Sequence, residues 1–322
     1  RNLAHNPNRD VRRKAYEAEL EARETAAVPI AAALNGVKGE TGTLAKNRGW
    51  PSVLDQSLHG NNMDEASLDA MMTAAHEAFP AFRRYLRAKA KAIGIDRLAF
   101  YDLFATVGGS ESSWTYSDAQ SFILEHFSDY SDELRNLASR AFDEQWIDAE
   151  PRAGKSDGAF CMWLRDDESR ILTNFKPSFS GVRTLAHELG HAYHNRRLAG
   201  RTALLRSTPM ILAETASTFC ETIVREAALK TATEAEQLVI VENSLEAACQ
   251  VVVDITCRYT FEQEVFERRG QRELAVSELN DIMLRAQLAT YGDALDPDLL
   301  HPYMWAAKPH YYGSNYYNFP YM

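Results

Sequence analysis

The chain has 322 residues, of which 45% are hydrophobic, and its formal net charge is −10. That composition can form a substantial core and leaves room for one large domain or two smaller ones. The negative charge disfavours nucleic acid and anionic membranes as partners, and the sequence holds no apolar run long enough to span a bilayer.

The first part of the chain predicts helices. Residues 9–34 show an amphipathic pattern rich in Ala, Glu and Arg, and a glycine-containing loop is expected over residues 35–50. Residues 64–93 predict a second long helix, interrupted or kinked at Pro80. Residues 117–148 predict two further helices. Together these elements make residues 1–150 a helical region.

The pattern changes after residue 150. Two short strand-like runs, 158–164 and 170–175, flank a charged turn at 165–168, which predicts a β-hairpin. The chain then becomes helical again, with predicted helices over residues 181–199, 208–230, 233–269 and 276–291. We therefore predict a mainly α fold with one small sheet, and we treat residues 151–322 as the region that carries the chemistry.

The cysteines show no metal-binding or disulfide pattern. None of the four forms a CxxC pair, and three of them lie in predicted helices among apolar neighbours. This usage predicts buried free thiols in a reducing compartment, and so a cytoplasmic location. A structural zinc site built from cysteines is not expected, because the ligand spacing is missing. The four residues are Cys161, Cys220, Cys249 and Cys257.

The strongest chemical signal is the run His-Glu-Leu-Gly-His at residues 187–191. Residues four apart share one face of a helix, so His187 and His191 can bind one ion. Glu188 lies about 100° further around the helix, where it can reach a water on the metal without binding the metal itself. The motif predicts one catalytic zinc per chain, with Glu188 as general base.

A catalytic zinc needs a third protein ligand, and Glu214 is the candidate. It is the only charged residue between Arg206 and Glu221, in a stretch of small and apolar residues. A carboxylate there is costly to bury unless it is paired or binds a metal. Glu221 lies two helical turns further along the same face, where it can accept the N–H of a ligand histidine, or it is an ordinary surface charge.

Three segments together resemble a known family. They are residues 152–161 (RAGKSDGAFC), 184–191 (TLAHELGH) and 214–221 (ETASTFCE), and the tail from Trp305 to Tyr321 adds to the likeness. They are similar to oligoendopeptidase F, of the thimet-oligopeptidase-like zinc metallopeptidases. The resemblance implies a zincin-type, almost entirely helical core with a deep channel and a small sheet beside the active site. It implies short peptides as substrates, and it makes residues 1–150 part of the channel wall.

The resemblance also implies a longer enzyme. Family members have about twice this length, so the N- and C-terminal parts of the same enzyme are expected as missing partners of this chain. The chain begins at Arg1 and stops at Met322 within an aromatic stretch. Exposed apolar surface is expected at both ends if the chain is a fragment.

The resemblance assigns roles in the tail. His310 and Tyr317 are implied as donors to the developing oxyanion, with Tyr316 and Tyr321 as substrate contacts. Gly313 is expected to give this stretch the flexibility to close over a substrate. Phe319 departs from the family pattern, where a tyrosine is common.

The first predicted strand has two interpretations. Gly158, Ala159 and Phe160 begin a run that can pair with an extended peptide by β-augmentation. The same run can instead be a buried structural strand.

Two alternatives to a zinc endopeptidase remain. A zinc aminopeptidase or carboxypeptidase would use the same metal site, although the sequence holds no recognisable acidic anchor for a substrate amine. A non-catalytic, zinc-bound peptide-binding module is disfavoured, because Glu188 is present and structural zinc sites have four protein ligands.

Overall fold

The computed structural model describes residues 3–108, 113–156 and 158–322. Its helices are α1 (Arg9–Asn47), α2 (Val53–Gly60), α3 (Glu65–Ala92), α4 (Tyr116–Tyr130), α5 (Asp132–Asp143), α6 (Phe179–Leu198), α7 (Met210–Ala213), α8 (Thr215–Thr231), α9 (Glu234–Cys249), α10 (Ile255–Arg269), α11 (Val276–Tyr291), α12 (Met304–Ala307) and α13 (His310–Gly313). A π-helical segment, Gln250–Asp254, joins α9 to α10. The strands are β1 (Ile147–Asp148), β2 (Phe160–Arg165) and β3 (Glu168–Leu172). The predicted mainly α fold with one small sheet is confirmed.

The chain forms two compact units. The first unit combines Arg1–Val107 with Asn243–Met322, and the second unit is Gly108–Glu242. The boundary between the predicted regions, 1–150 and 151–322, therefore differs from the boundaries of the two compact units. Sequence order alone cannot show that the C-terminal quarter of the chain packs with the N-terminal helices.

The core of the first unit lies where α1, α10 and α11 pack together. Leu34, Phe261 and Met283, one from each of these helices, are each at most 1% exposed, and Trp305 is fully buried with them. None of the described helices combines the length with the apolar character that a bilayer-crossing segment needs.

The glycine-containing loop predicted over residues 35–50 is wrong for most of its length, because α1 continues to Asn47. The Asn35 side chain donates to the carbonyl of Leu274 at 2.9 Å and accepts its N–H at 2.8 Å. Lys38 is buried against Glu262. These tertiary contacts hold the helix through its glycines, each of which costs a helix interior about 1 kcal/mol.

The interruption predicted at Pro80 is also absent, since α3 runs from Glu65 to Ala92. Proline removes one backbone hydrogen bond from a helix. On this helix Phe79 and Leu86 are 4% and 1% exposed, so apolar packing on both sides of the proline maintains the helix.

The predicted hairpin is confirmed in the second unit. Strands β2 and β3 pair antiparallel, with Phe160 opposite Leu172 and Cys161 opposite Ile171. Strand β1 pairs parallel with β3, which gives the order β1-β3-β2. β2 therefore lies at an edge of the sheet, and no strand in the described part of the chain pairs with its other side.

The sheet packs on the helix that carries the histidine motif. Ile171 of β3 joins a buried cluster with residues of α4, α5, α6 and α8. On α6, the motif helix, the apolar residues around the motif are fully buried; they are Val182, Leu185, Ala186 and Leu189. This packing places the sheet directly beside the histidine motif.

Candidate metal centre

The two histidines of the motif lie on one face of α6. His187 and His191 have their Nε2 atoms 3.2 Å apart, and both side chains are about a quarter exposed, at 25% and 22%. The opposite face of α6 is buried, so the helix cannot rotate these rings away without exposing its core residues.

Gly190 allows the next helix to approach. A Cβ at this position would lie 2.6 Å from the backbone oxygen of Ala216 and 2.6 Å from the Cα of Ser217. Both contacts are with backbone, which cannot move aside as a flexible side chain would. Any larger residue at position 190 would push α8 away from α6 and carry Glu214 away from the histidines.

Glu214 completes the cluster. Its Oε2 lies 3.1 Å from His187 Nε2 and 3.3 Å from His191 Nε2. The candidate ligand atoms of the three residues all lie within 4.8 Å of one another. The helix predicted over residues 208–230 is interrupted here, because Glu214 (φ −93°, ψ 0°) separates α7 from α8. The interruption places the carboxylate at the N-terminal end of α8.

Glu221 contacts the other nitrogen of His187. Its Oε1 lies 2.5 Å from His187 Nδ1, and its Oε2 lies 3.3 Å from Arg183 Nε. This contact orients the ring so that Nε2 faces His191 and Glu214. The geometry matches the role expected for a carboxylate behind a metal-binding histidine.

Replacing Glu221 is expected to weaken metal binding without abolishing it. Glu221→Ala leaves the three candidate ligands in place but removes the acceptor that orients His187, so zinc affinity should fall about 10–100-fold. Competition with a chromogenic chelator measures this. Glu226→Ala is the matched control, since Glu226 is on the same helix and exposed. Equal affinities in the two variants would reduce Glu221 to an ordinary surface charge.

Glu188 is buried beside the cluster. The residue is 4% exposed, and its Oε2 has no hydrogen-bond partner in the described chain. Burial raises the pKa of this carboxyl group, while His187 and His191 act in the opposite direction. A buried carboxylate oxygen without a partner is costly unless something outside the described chain satisfies it.

The charges of the cluster favour a bound cation. Burial lowers the pKa of His187, but hydrogen bonds to Glu214 and Glu221 outweigh it and raise that pKa to about 10. Burial raises the pKa of Glu214, but hydrogen bonds from His187, His191 and Ser217 outweigh it and hold that pKa well below its usual range. Two carboxylates around one imidazole thus stabilise positive charge, supplied by a proton or by a metal ion.

The donor set fits zinc. Two imidazole nitrogens and one carboxylate oxygen are a known ligand set for catalytic zinc, which leaves a further position open. The partnerless Oε2 of Glu188 lies on a residue adjacent to these ligands, as a general base for that open position would. The cluster is therefore a candidate metal centre.

Two contributing residues escaped the sequence analysis. Ser217 donates from Oγ to Glu214 Oε2 at 2.8 Å and fixes that carboxylate. Arg183 holds Glu221. Their sequence spacing could have identified them. Ser217 follows Glu214 by three residues, and Arg183 precedes His187 by four. Residues at these spacings share one helix face.

The predicted peptide-binding residues begin β2. Gly158 has a positive φ of +87°, a conformation that favours glycine, and it leads the chain into the strand. Phe160 is 46% exposed, and Met162, Trp163 and Leu164 are 46–54% exposed. The alternative of a buried structural strand is therefore wrong for β2, which exposes these four side chains and one edge.

The predicted oxyanion donors lie in the first unit, in residues 310–321, which we call the tyrosine segment. His310 and Tyr317 stack with ring centroids 4.7 Å apart, and the Tyr317 hydroxyl lies 2.5 Å from that of Tyr321. Gly313 ends α13 and is exposed. The structure thus groups His310, Tyr317 and Tyr321 with one another.

Tyr316 is placed differently from its neighbours. Its ring is 3% exposed, stacks on Phe266 with centroids 5.3 Å apart, and packs near Tyr259. Its burial disfavours the substrate contact predicted for Tyr316, because almost none of the ring surface is accessible to a ligand. Phe319, 1% exposed, is also part of the packing.

A helical histidine pair with a glutamate at the start of a following helix is a ligand pattern typical of zinc-peptidase-like folds. The family model for peptidase family M3 matches residues 2–322, and the chain belongs to that family. The resemblance that the motifs indicated is thereby confirmed.

Relatives within the family include oligoendopeptidase F proteins. The chain is 28% identical over 322 residues to an oligoendopeptidase F homolog of Lactococcus lactis subsp. lactis, covering 99% of this chain and 53% of the relative. It is 24% identical to oligopeptidase PepF of Bacillus subtilis, covering 99% of this chain and 48% of the relative. The chain thus spans about half the length of these relatives.

Solved structures share the fold. A putative peptidase from Chlamydophila abortus matches with a TM-score of 0.82 at 22% identity, covering 99% of this chain and 54% of that one. Oligoendopeptidase F from Enterococcus faecium matches with a TM-score of 0.70 at 22% identity, covering 99% of this chain and 51% of that one. These likenesses confirm the fold.

Proposed function

We propose that the protein is a zinc metalloendopeptidase that hydrolyses short peptides. The observation that carries the proposal is the cluster of His187, His191 and Glu214, with the buried and partnerless carboxylate oxygen of Glu188 beside it. Membership of peptidase family M3 supports the same conclusion.

The ligands proposed for one zinc ion are His187, His191 and Glu214. When bound, zinc supplies Lewis-acid activation of water and polarisation of the scissile carbonyl. Glu188 takes the proton from the attacking water at Oε2 and passes it to the leaving amine, so that one carboxylate acts first as base and then as acid. Glu221 holds His187 in position for this chemistry, and Ser217 holds Glu214.

The proposed substrate-binding element is the free edge of β2. An extended peptide can add to this edge with main-chain hydrogen bonds, and the exposed side chains of Phe160 and Met162 favour apolar neighbours in the peptide. Gly158 and Ala159 lead into that edge. Main-chain recognition suits a peptidase that acts on many sequences.

His310 and Tyr317 are proposed as donors to the developing oxyanion, with Tyr321 as a substrate contact. Support comes from the family resemblance and from the contacts that bring the imidazole and the two phenols together in the tyrosine segment. One such donor changes turnover by about 100-fold or more. A cytoplasmic location is also proposed, from four cysteines that are all free thiols.

Quenched peptides of several lengths test the proposed function. The intact protein is expected to cleave them at internal bonds, to lose activity with a zinc chelator, and to recover it when zinc is added back. Mass spectrometry of the products identifies the cleaved bonds. Release of single residues from one end would instead support an exopeptidase, and binding without cleavage would support a peptide-binding module.

A further inference from the structure

A buried ion pair lies in the first unit, apart from the candidate metal ligands in sequence. Lys38 of α1 and Glu262 of α10 are each 1% exposed, and Lys38 Nζ lies 2.6 Å from Glu262 Oε1. The Lys38 ammonium also lies 4.8 Å from the centre of the Phe266 ring. Nothing in the proposed chemistry requires a charged pair at this place.

The other hydrogen bonds described for Lys38 and Glu262 go to the tyrosine segment. Lys38 Nζ donates to the backbone oxygen of Ser314 at 3.3 Å and to Asn315 Oδ1 at 3.2 Å. Glu262 accepts the backbone N–H of Tyr316 at 3.0 Å on Oε1 and the side-chain amide of Asn318 at 2.6 Å on Oε2. The pair therefore binds the backbone before residue 317 and the side chain of the residue after it.

The backbone between these bonds is strained. Tyr316 has a φ of +52°, a left-handed conformation that is uncommon for a bulky residue. Such a conformation persists only when its surroundings fix it. Here the Tyr316 N–H is bound by Glu262, and its ring is held against Phe266. The left-handed turn at Tyr316 directs the following residue, Tyr317, towards His310 and Tyr321 rather than into the core.

Stability alone is a poor explanation for such a pair. Removing two charges from water is costly, and apolar residues of similar size often serve as well or better. Yet the pair is fully bonded, since Lys38 has three acceptors and both oxygens of Glu262 have donors. A fully bonded polar network fixes one arrangement of the groups that it joins.

We propose that Lys38 and Glu262 are positioning residues. They hold the tyrosine segment in the conformation that places Tyr317 against His310 and Tyr321. The inference rests on the proposed role of Tyr317 for its effect on turnover, but its structural half is independent of that role. Neither residue needs to contact the substrate.

Hydrogen exchange tests the structural half. In Glu262→Gln the amide nitrogen must face a donor, because all three groups around the carboxylate are donors. Exchange at the Tyr316 amide and in peptides covering the tyrosine segment should become at least about tenfold faster. Asp102→Asn is the matched control: Asp102 is also buried, binds Arg12, and accepts a backbone N–H from Ala99, away from the segment. Unchanged exchange in Glu262→Gln, or equal acceleration in both variants, overturns the proposal.

Turnover tests the functional half. Glu262→Gln should lower kcat by about tenfold or more with KM within about twofold, because a misplaced donor weakens the transition state. In a Tyr317→Phe background the same change should alter kcat by less than about twofold, since the group that it positions is gone. A full further loss there would show that Glu262 acts by another route.

The readouts separate this inference from the proposed function. If Tyr317→Phe retains kcat within about threefold, the donor role of Tyr317 is wrong, and exchange alone decides whether the pair holds the segment. If Glu262→Gln does not fold, Lys38→Met combined with Glu262→Met replaces the pair by apolar side chains that are often tolerated. The double variant should then show the faster exchange, and native exchange rates in it would overturn the proposal.

Discussion

Glu188→Gln is expected to retain the metal and to lose nearly all peptide turnover. Glutamine has almost the same shape, and the candidate ligands His187, His191 and Glu214 are unchanged, so zinc content by elemental analysis should stay stoichiometric. The amide cannot accept the proton of the attacking water at the position of Oε2, and loss of a general base lowers kcat by about 10²–10⁴-fold.

The control for this variant is Glu226→Gln on α8. Glu226 is exposed and pairs with Arg225 in the same second unit, so its replacement should leave kcat and zinc content unchanged. Turnover of Glu188→Gln near that of the unmodified protein would remove Glu188 from the chemistry. A fall in turnover with loss of zinc would instead assign it to metal binding.

The sequence was most informative where local spacing determines geometry. The spacing of four from His187 to His191 places two rings on one helix face, and the structure has their Nε2 atoms 3.2 Å apart. Glu214 was identifiable because an isolated charge in an apolar stretch needs a partner. The helix interruption that positions it was not identifiable, because neither glycine nor proline stands at residue 214 to indicate it.

The fold was less predictable where distant residues decide it. The glycines after Asn35 indicate a loop by local propensity, yet Leu274 and Glu262 hold that stretch as helix. The burial of Tyr316 depends likewise on Phe266 and Tyr259, which no local pattern connects to it. The two units combine segments far apart in the chain for the same reason.

Glu214→Ala is expected to lose the metal. The change leaves two imidazoles, and two ligands hold zinc far less tightly than three. It also removes the side-chain acceptor of the Ser217 hydroxyl, which is the carboxylate that lies 3.1 Å from His187 Nε2. Zinc affinity should fall by more than about 100-fold, since that is the largest loss expected for a residue that only orients a ligand. Elemental analysis after dialysis, and chelator competition, measure the loss.

Comparison with the two other variants makes this test specific. Glu226→Ala should retain zinc. Glu221→Ala should show a smaller loss, because among the candidate ligands Glu221 contacts only His187, at Nδ1. Excess zinc should restore part of the turnover of Glu214→Ala, because its base, Glu188, is intact; it should restore none in Glu188→Gln, because there the metal is already bound. Stoichiometric zinc in dialysed Glu214→Ala would move the third ligand to another residue, and Glu214 would then serve only as a hydrogen-bond partner of the two histidines.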